Sequence, residues 1–169
     1  MTILETQRLI LRQLTEADAE FIYELLNEPS WIQYIGDRHI HTLEDARAYI
    51  RNGPAASYKK NGFGLYLIAL KETQEPIGMC GLIRREGLDD VDIGYALLPR
   101  FWSKGYAVEA AQAVKEYARD VIGLKRLVAI VDPTNEPSIR VLERVGLRYE
   151  KMVRLSEDDI DLKLFSTPL

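Results

Sequence analysis

Cysteine is nearly absent from these 169 residues: Cys80 stands alone, so no intramolecular disulfide can form. That fits a reducing compartment. Histidine is almost as scarce. His39 and His41 are the only two, with no cysteine nearby and no carboxylate at a ligand spacing before Glu44 and Asp45. Those two acids suit the first turn of a helix capped by Thr42, so no metal is expected. No apolar run approaches the length of a membrane span, and MTILETQRL lacks a signal-peptide pattern. The expectation is a cytoplasmic protein with no membrane partner. The nucleotide patterns GxxxxGK[ST] and GxGxxG do not occur. Repeats, low-complexity tracts and linkers are missing too, so residues 1–169 read as a single domain. Basic charge does not dominate: 22 Lys and Arg stand against 26 Asp and Glu, a net charge of −4. That balance argues against a general nucleic-acid binder and is compatible with a cationic amine substrate.

What is present suits one packed core, with 47% apolar and 28% charged residues. Arg8 to Leu14 alternates as a strand, Leu9 and Leu11 against Arg8, Ile10 and Arg12. Thr15 and Asp18 open a helix to about Asn27, and Pro29 starts a short one, Ser30 to Ile35, ended by Gly36. The helix capped by Thr42 runs to about Asn52, where Gly53-Pro54 breaks it. Leu65–Leu70 and Ile77–Arg85 read as strands. Cys80 lies inside the second with no base or cation beside it, which suits a buried structural thiol. Leu127–Val131 is another apolar strand, and Asn135 caps a helix Glu136–Val145. Two strands, Leu147–Leu155 and Ile160–Phe165, close the chain. Strands and helices mix without strict alternation, so the fold class is α+β: a mostly antiparallel sheet of seven strands with helices on both faces.

Residues 91–119 organise the rest. The strand Val91–Leu98 puts Val91, Ile93, Tyr95 and Leu97 on one face and Asp92, Gly94, Ala96 and Leu98 on the other. Pro99 stops it, and the loop Arg100-Phe101-Trp102-Ser103-Lys104-Gly105 opens a long helix. Ala107, Ala111, Val114, Ala118 and Val121 would form that helix's apolar stripe, with Gly123 as its cap. The loop offers free N–H groups at a helix N-terminus with Lys104 alongside, an anion site by construction. On local features alone a plain tight connection, or a P-loop-like nucleotide site, stays open.

IGYALLPRFWSKGYAVEAA resembles the acyl-CoA-binding motif of the GNAT N-acetyltransferase superfamily, R/Q-x-x-G-x-G/A. Arg100, Gly105 and Ala107 fit, and Ser103 replaces the first glycine. The opening LETQRLILRQLTEADAEFIYELLNEPSWIQYIG resembles the RimJ/RimL-like branch, whose best-known members acetylate protein N-termini. NEPSIRVLERVGLRYE resembles that branch's later motif, an Asn followed three residues on by Ser and, past the helix, by Gly. Three motifs in order, covering nearly the whole chain, make the match specific.

The resemblance implies a GNAT fold whose central strands, Val91–Leu98 and Leu127–Val131, splay apart. It implies acetyl-CoA as cosubstrate, with the pantetheine arm pairing near Leu97 and Leu98 like an added strand. Arg100, Ser103, Lys104, Gly105, Tyr106 and Ala107 would surround the pyrophosphate, and Asn135 would reach the pantetheine amide. Asn135 is also explained as a helix cap. The general-acid tyrosine of many members is replaced here by Leu142, which leaves Ser138 as the candidate proton donor or else a first-turn serine. Asp92 is either the carboxylate base or a solvated strand residue. Trp31 and Tyr34 fall where relatives build a wall of the acceptor cleft, although both also suit a core. The implied reaction is transfer of acetyl to a primary amine in a ternary complex. The acceptor would be a protein or peptide N-terminus, or alternatively a small amine. A non-catalytic acyl-CoA sensor is the reading from another class. The chain would act as a monomer or homodimer.

Overall fold

The central strands form where β-branched and aliphatic residues run continuously, and there the sheet is buried on both faces. In the computed structural model, which describes residues 1–169, eight strands make one sheet in the order β1-β2-β3-β4-β5-β6-β8-β7. They are β1 (Thr2–Glu5), β2 (Leu9–Gln13), β3 (Leu65–Leu70), β4 (Pro76–Ile83), β5 (Asp92–Leu97), β6 (Arg126–Val131), β7 (Arg148–Val153) and β8 (Leu162–Pro168). The count exceeds the expected seven by one. Thr2–Glu5 is too short and too mixed to announce itself, and it is a strand because Leu9–Gln13 pairs back onto it. Every neighbouring pair is antiparallel except β5 and β6.

Helices α1 (Ala19–Leu26), α2 (Pro29–Tyr34) and α3 (Leu43–Asn52) cover one face, while α4 (Pro54–Asn61) stacks Tyr58 on Tyr66 of the opposite face. The core under α1 to α3 holds Ile22, Leu25, Trp31, Ala46 and Ile50 against Leu67, Met79 and Leu98. Pro54 does break α3, but it also starts α4, because a proline without its N–H suits a first helical turn. Helices α5 (Tyr106–Tyr117) and α6 (Glu136–Val145) cover the other face, with Ala110, Ala111, Val114, Ile139 and Leu142 against Ile68, Cys80, Ile93 and Leu127. The alanines of α5 let its axis lie close to the sheet. Cys80 has no exposed surface, and burial pushes its thiol pKa well up, so it is inert packing.

One expectation about α5 fails. Val121, placed on the apolar stripe, is 66% exposed. Residues Ala118–Ile122 form a wider π-type turn, which rotates the following side chains out of phase. Ile122 takes the inward place instead.

Candidate active site

The site begins with a seam in the sheet. Strand β5 turns the main-chain groups of Val91, Ile93, Tyr95 and Leu97 toward β6 and those of alternate residues toward β4. Two bonds fix this alternation: Val128 N–H donates to the Val91 carbonyl (3.2 Å), and Leu98 N–H donates to Ile77 (2.9 Å). Only Asp92 pairs with β6, opposite Val128. Beyond that point the two strands part. The N–H groups of Tyr95 and Leu97 therefore face a gap where a flexible polar chain could lie as an added strand. Leu97's carbonyl is already taken by the Trp102 indole N–H (2.9 Å). Leu98 does not serve as the resemblance suggested. Its N–H is committed to Ile77 and its carbonyl to Phe101 N–H (2.9 Å), and its side chain is fully buried.

The loop between β5 and α5 closes one end of the gap. Ser103 (φ 61°) and Gly105 (φ 83°) both adopt left-handed backbone, flanking Lys104. Such alternation bends successive N–H groups toward one point, and a 12-residue helix begins there. Ser103 thus takes a conformation glycine favours, at the position where the motif carries glycine, and pays a steric penalty for it. Lys104 is exposed and pairs with no acid. Tyr106 and Ala107 form the first turn of α5, half-buried beside the loop. Arg100 is turned elsewhere. Its guanidinium meets Glu24 (3.2 Å) and Glu75 (3.9 Å) and lies over the Phe101 ring.

Across the gap stands the N-terminus of α6. Asn135 caps it, with Oδ1 accepting from Ser138 N–H (3.3 Å), while its side-chain NH2 makes no bond within the chain. Capping and a ligand contact therefore use different atoms of one amide. Ser138 Oγ lies 3.0 Å from the Tyr95 hydroxyl, which also donates to the Ser138 carbonyl (2.8 Å). Burial pushes the Tyr95 phenol pKa well up, so it stays protonated. Tyr95 was read from the sequence only as a strand residue. Leu142 is buried in the core, as a leucine there must be.

On the opposite face of β5, Asp92 is 1% exposed, and both its oxygens accept from Arg85 Nε (3.1 and 3.2 Å). It is not a solvated strand end. Burial raises its pKa to about 6 despite the pull of Arg85 in the other direction. Arg85 was missed by sequence reasoning, since nothing local ties a residue near the end of β4 to Asp92. Trp31 is 6% exposed in the core under α1 to α3, and its indole N–H has no partner. Tyr34 is half-buried near the end of α2. The histidines are exposed and pair with no ligand set, and no cluster of His, Cys, Asp or Glu could hold a metal.

An open sheet with one parallel seam, a left-handed loop beside it and a capped helix opposite form the arrangement that the resemblance to acyltransferases implies. The comparisons specify it. The acetyltransferase (GNAT) domain family matches residues 8–148. An uncharacterized N-acetyltransferase, YoaA of Bacillus subtilis (strain 168), is 34% identical over 153 residues, covering 90% of this chain and 86% of its own. The acetyltransferase of Agrobacterium tumefaciens str. C58 superposes with a TM-score of 0.83 at 29% identity, covering 99% of this chain and 94% of that one. RimL, a ribosomal L7/L12 alpha-N-protein acetyltransferase solved with coenzyme A, shares the fold with a TM-score of 0.83 at 21% identity, covering 100% and 98%. The chain belongs to the GNAT acetyltransferase family, and it is an acetyltransferase.

Proposed function

We propose that this single domain transfers acetyl from acetyl-CoA to the α-amine of a protein or peptide N-terminus, by direct attack in a ternary complex. The observation that carries the donor half is the seam, where β5 and β6 share one pair and then part beside a left-handed loop. Tyr95 and Leu97 N–H groups would pair with the pantetheine arm. Ser103, Lys104, Gly105, Tyr106 and Ala107 would hold the diphosphate, and the free NH2 of Asn135 would reach a pantetheine carbonyl. Arg100 acts outside this contact set.

In the reaction the amine nitrogen attacks the thioester carbon, a C–N bond forms, and the C–S bond breaks to release thiolate. Ser138 Oγ, whose O–H rests on the Tyr95 hydroxyl oxygen, would turn that proton to the departing thiolate and regain one from water. Asp92, raised to about 6, would accept the amine's proton through water while Arg85 keeps it ionised at neutral pH. At a pKa of about 6 it is still a modest base for an ammonium group. An α-amine with a pKa near 7.8 is about 10–15% neutral at pH 7, whereas lysine near 10.4 is neutral in well under ~0.1%. A weak base therefore favours the α-amine. RimL, a fold neighbour, is named for that acceptor. Trp31 and Tyr34 would act through the acceptor wall rather than as open contacts, Trp31 being almost fully enclosed.

The test is thiol release from acetyl-CoA with peptides beginning Ser, Ala or Thr, beside free amino acids, polyamines and aminoglycosides. Peptide turnover, lowered severalfold by Ser138→Ala, is expected. Turnover of small amines alone would overturn the acceptor assignment. A shift in melting temperature with CoA but no turnover would favour a sensor.

A further inference from the structure

We propose that Arg8 sets the affinity for the diphosphate half of acetyl-CoA from beneath the loop, as a positioning residue rather than a ligand. The argument starts with Glu109, in the first turns of α5. Its Oε2 accepts from the Thr6 hydroxyl (2.5 Å) and Arg8 N–H (2.9 Å), and its Oε1 accepts from Arg8 Nε (2.7 Å). Three donors from the β1–β2 turn, a hundred residues upstream, thus converge on one carboxylate. Burial alone would raise its pKa, but these bonds outweigh burial and hold it below the usual carboxylate range. The carboxylate stays charged.

A negative charge at the first turn suits a free helix N-terminus. It is a liability where a diphosphate is to bind, because like charges at short range repel. Arg8 cancels it. The same guanidinium donates through Nη1 to the Lys104 carbonyl (3.0 Å) and lies over the Tyr106 ring at 4.4 Å. In the left-handed loop a carbonyl and the following N–H point in opposite directions, since one peptide plane carries both. Arg8 therefore occupies the carbonyl side and leaves the Gly105 N–H turned away from it, toward the anion. A Cβ on Gly105 would come within 3.3 Å of Arg8 Nη2, so the glycine is also what lets the guanidinium lie this close. The Thr6 turn is itself closed by Leu9 N–H on the Thr6 hydroxyl (3.0 Å). The N-terminal hairpin is a strut that fixes both the shape and the charge of the loop.

This inference rests on the reading of that loop as the diphosphate site. The experiment measures Kd for CoA and for pantetheine, which lacks the diphosphate, in wild type, Arg8→Ala, Arg8→Lys and the double variant Arg8→Ala/Glu109→Gln. Thermal midpoints report folding. In Arg8→Ala the CoA Kd should rise about tenfold, the scale of one charge-assisted bond, with the pantetheine Kd unchanged. Arg8→Lys should lose less, and the double variant should regain part of the loss. Equal weakening toward both ligands, or no weakening toward CoA, would overturn the strut. A wild type with no preference for CoA over pantetheine would instead sink the loop assignment itself.

Discussion

The two faces of β5 make unlike halves of one site. Toward α5 and α6 the proposed donor half would be built chiefly from main chain: the N–H groups at the seam, the left-handed loop and two helix starts. Toward α1 to α3 the proposed acceptor half would be built from side chains, Asp92 with Arg85 and, on α2, Trp31 and Tyr34, drawn from three separate segments. Main-chain sites recognise what every acyl-CoA shares. Side-chain sites can differ between relatives at little cost to the fold, and so can carry the choice of amine.

The sharpest test of this division removes the acceptor-side charge. Asp92→Asn should lower kcat about hundredfold, the scale of a lost general base, and leave CoA affinity unchanged. A fall in CoA affinity as well would blur the two halves. The same variant has a signature in stability. Because the folded pKa of Asp92 is raised to about 6, the folded state holds its proton more tightly than the unfolded chain does. Its contribution is fully present below about pH 4 and is lost as pH rises through 6. Asp92→Asn should abolish that slope, read as the difference in melting temperature from wild type across pH 4 to 6.

On the donor side, Gly105→Ala should weaken CoA binding about tenfold while sparing the response to acceptor concentration. A side chain at φ 83° costs on the order of 1–2 kcal/mol, and the new Cβ would press on Arg8. Tyr95→Phe removes the hydroxyl that holds Ser138, and kcat should fall severalfold with Kd for CoA unchanged. Since Tyr95 reaches the site from the donor face, a loss confined to kcat would show that proton delivery belongs to that half. The smallest effect is expected from Ser103→Gly. It relieves a left-handed serine and should raise stability by up to about 1 kcal/mol, less the entropy glycine gains when unfolded.

The same division explains what the sequence could tell. The bounds of β3 and α6 read directly from continuous apolar runs and from Asn135 and Gly146 as caps. Ser103, Lys104 and Gly105 stood out because a loop's backbone chemistry is local. Arg85 beside Asp92, Tyr95 beside Ser138 and Arg8 beside Glu109 are pairs set by sheet register and helix packing, and no spacing along the chain announces them. Leu98 was misread for the same reason. Which strand neighbour claims an N–H depends on pairing that a single strand does not encode.

The seam has one more consequence. By position β5 is an interior strand, but past Asp92 it carries an unpaired margin like that of a sheet's outermost strand. Such margins invite pairing with other chains. In the empty enzyme the Tyr95 and Leu97 amides should exchange their hydrogens as quickly as those of an edge, and slow only when cosubstrate fills the gap. The cosubstrate would then also act as a chaperone for its own site, and protein purified with CoA should aggregate less than protein stripped of it.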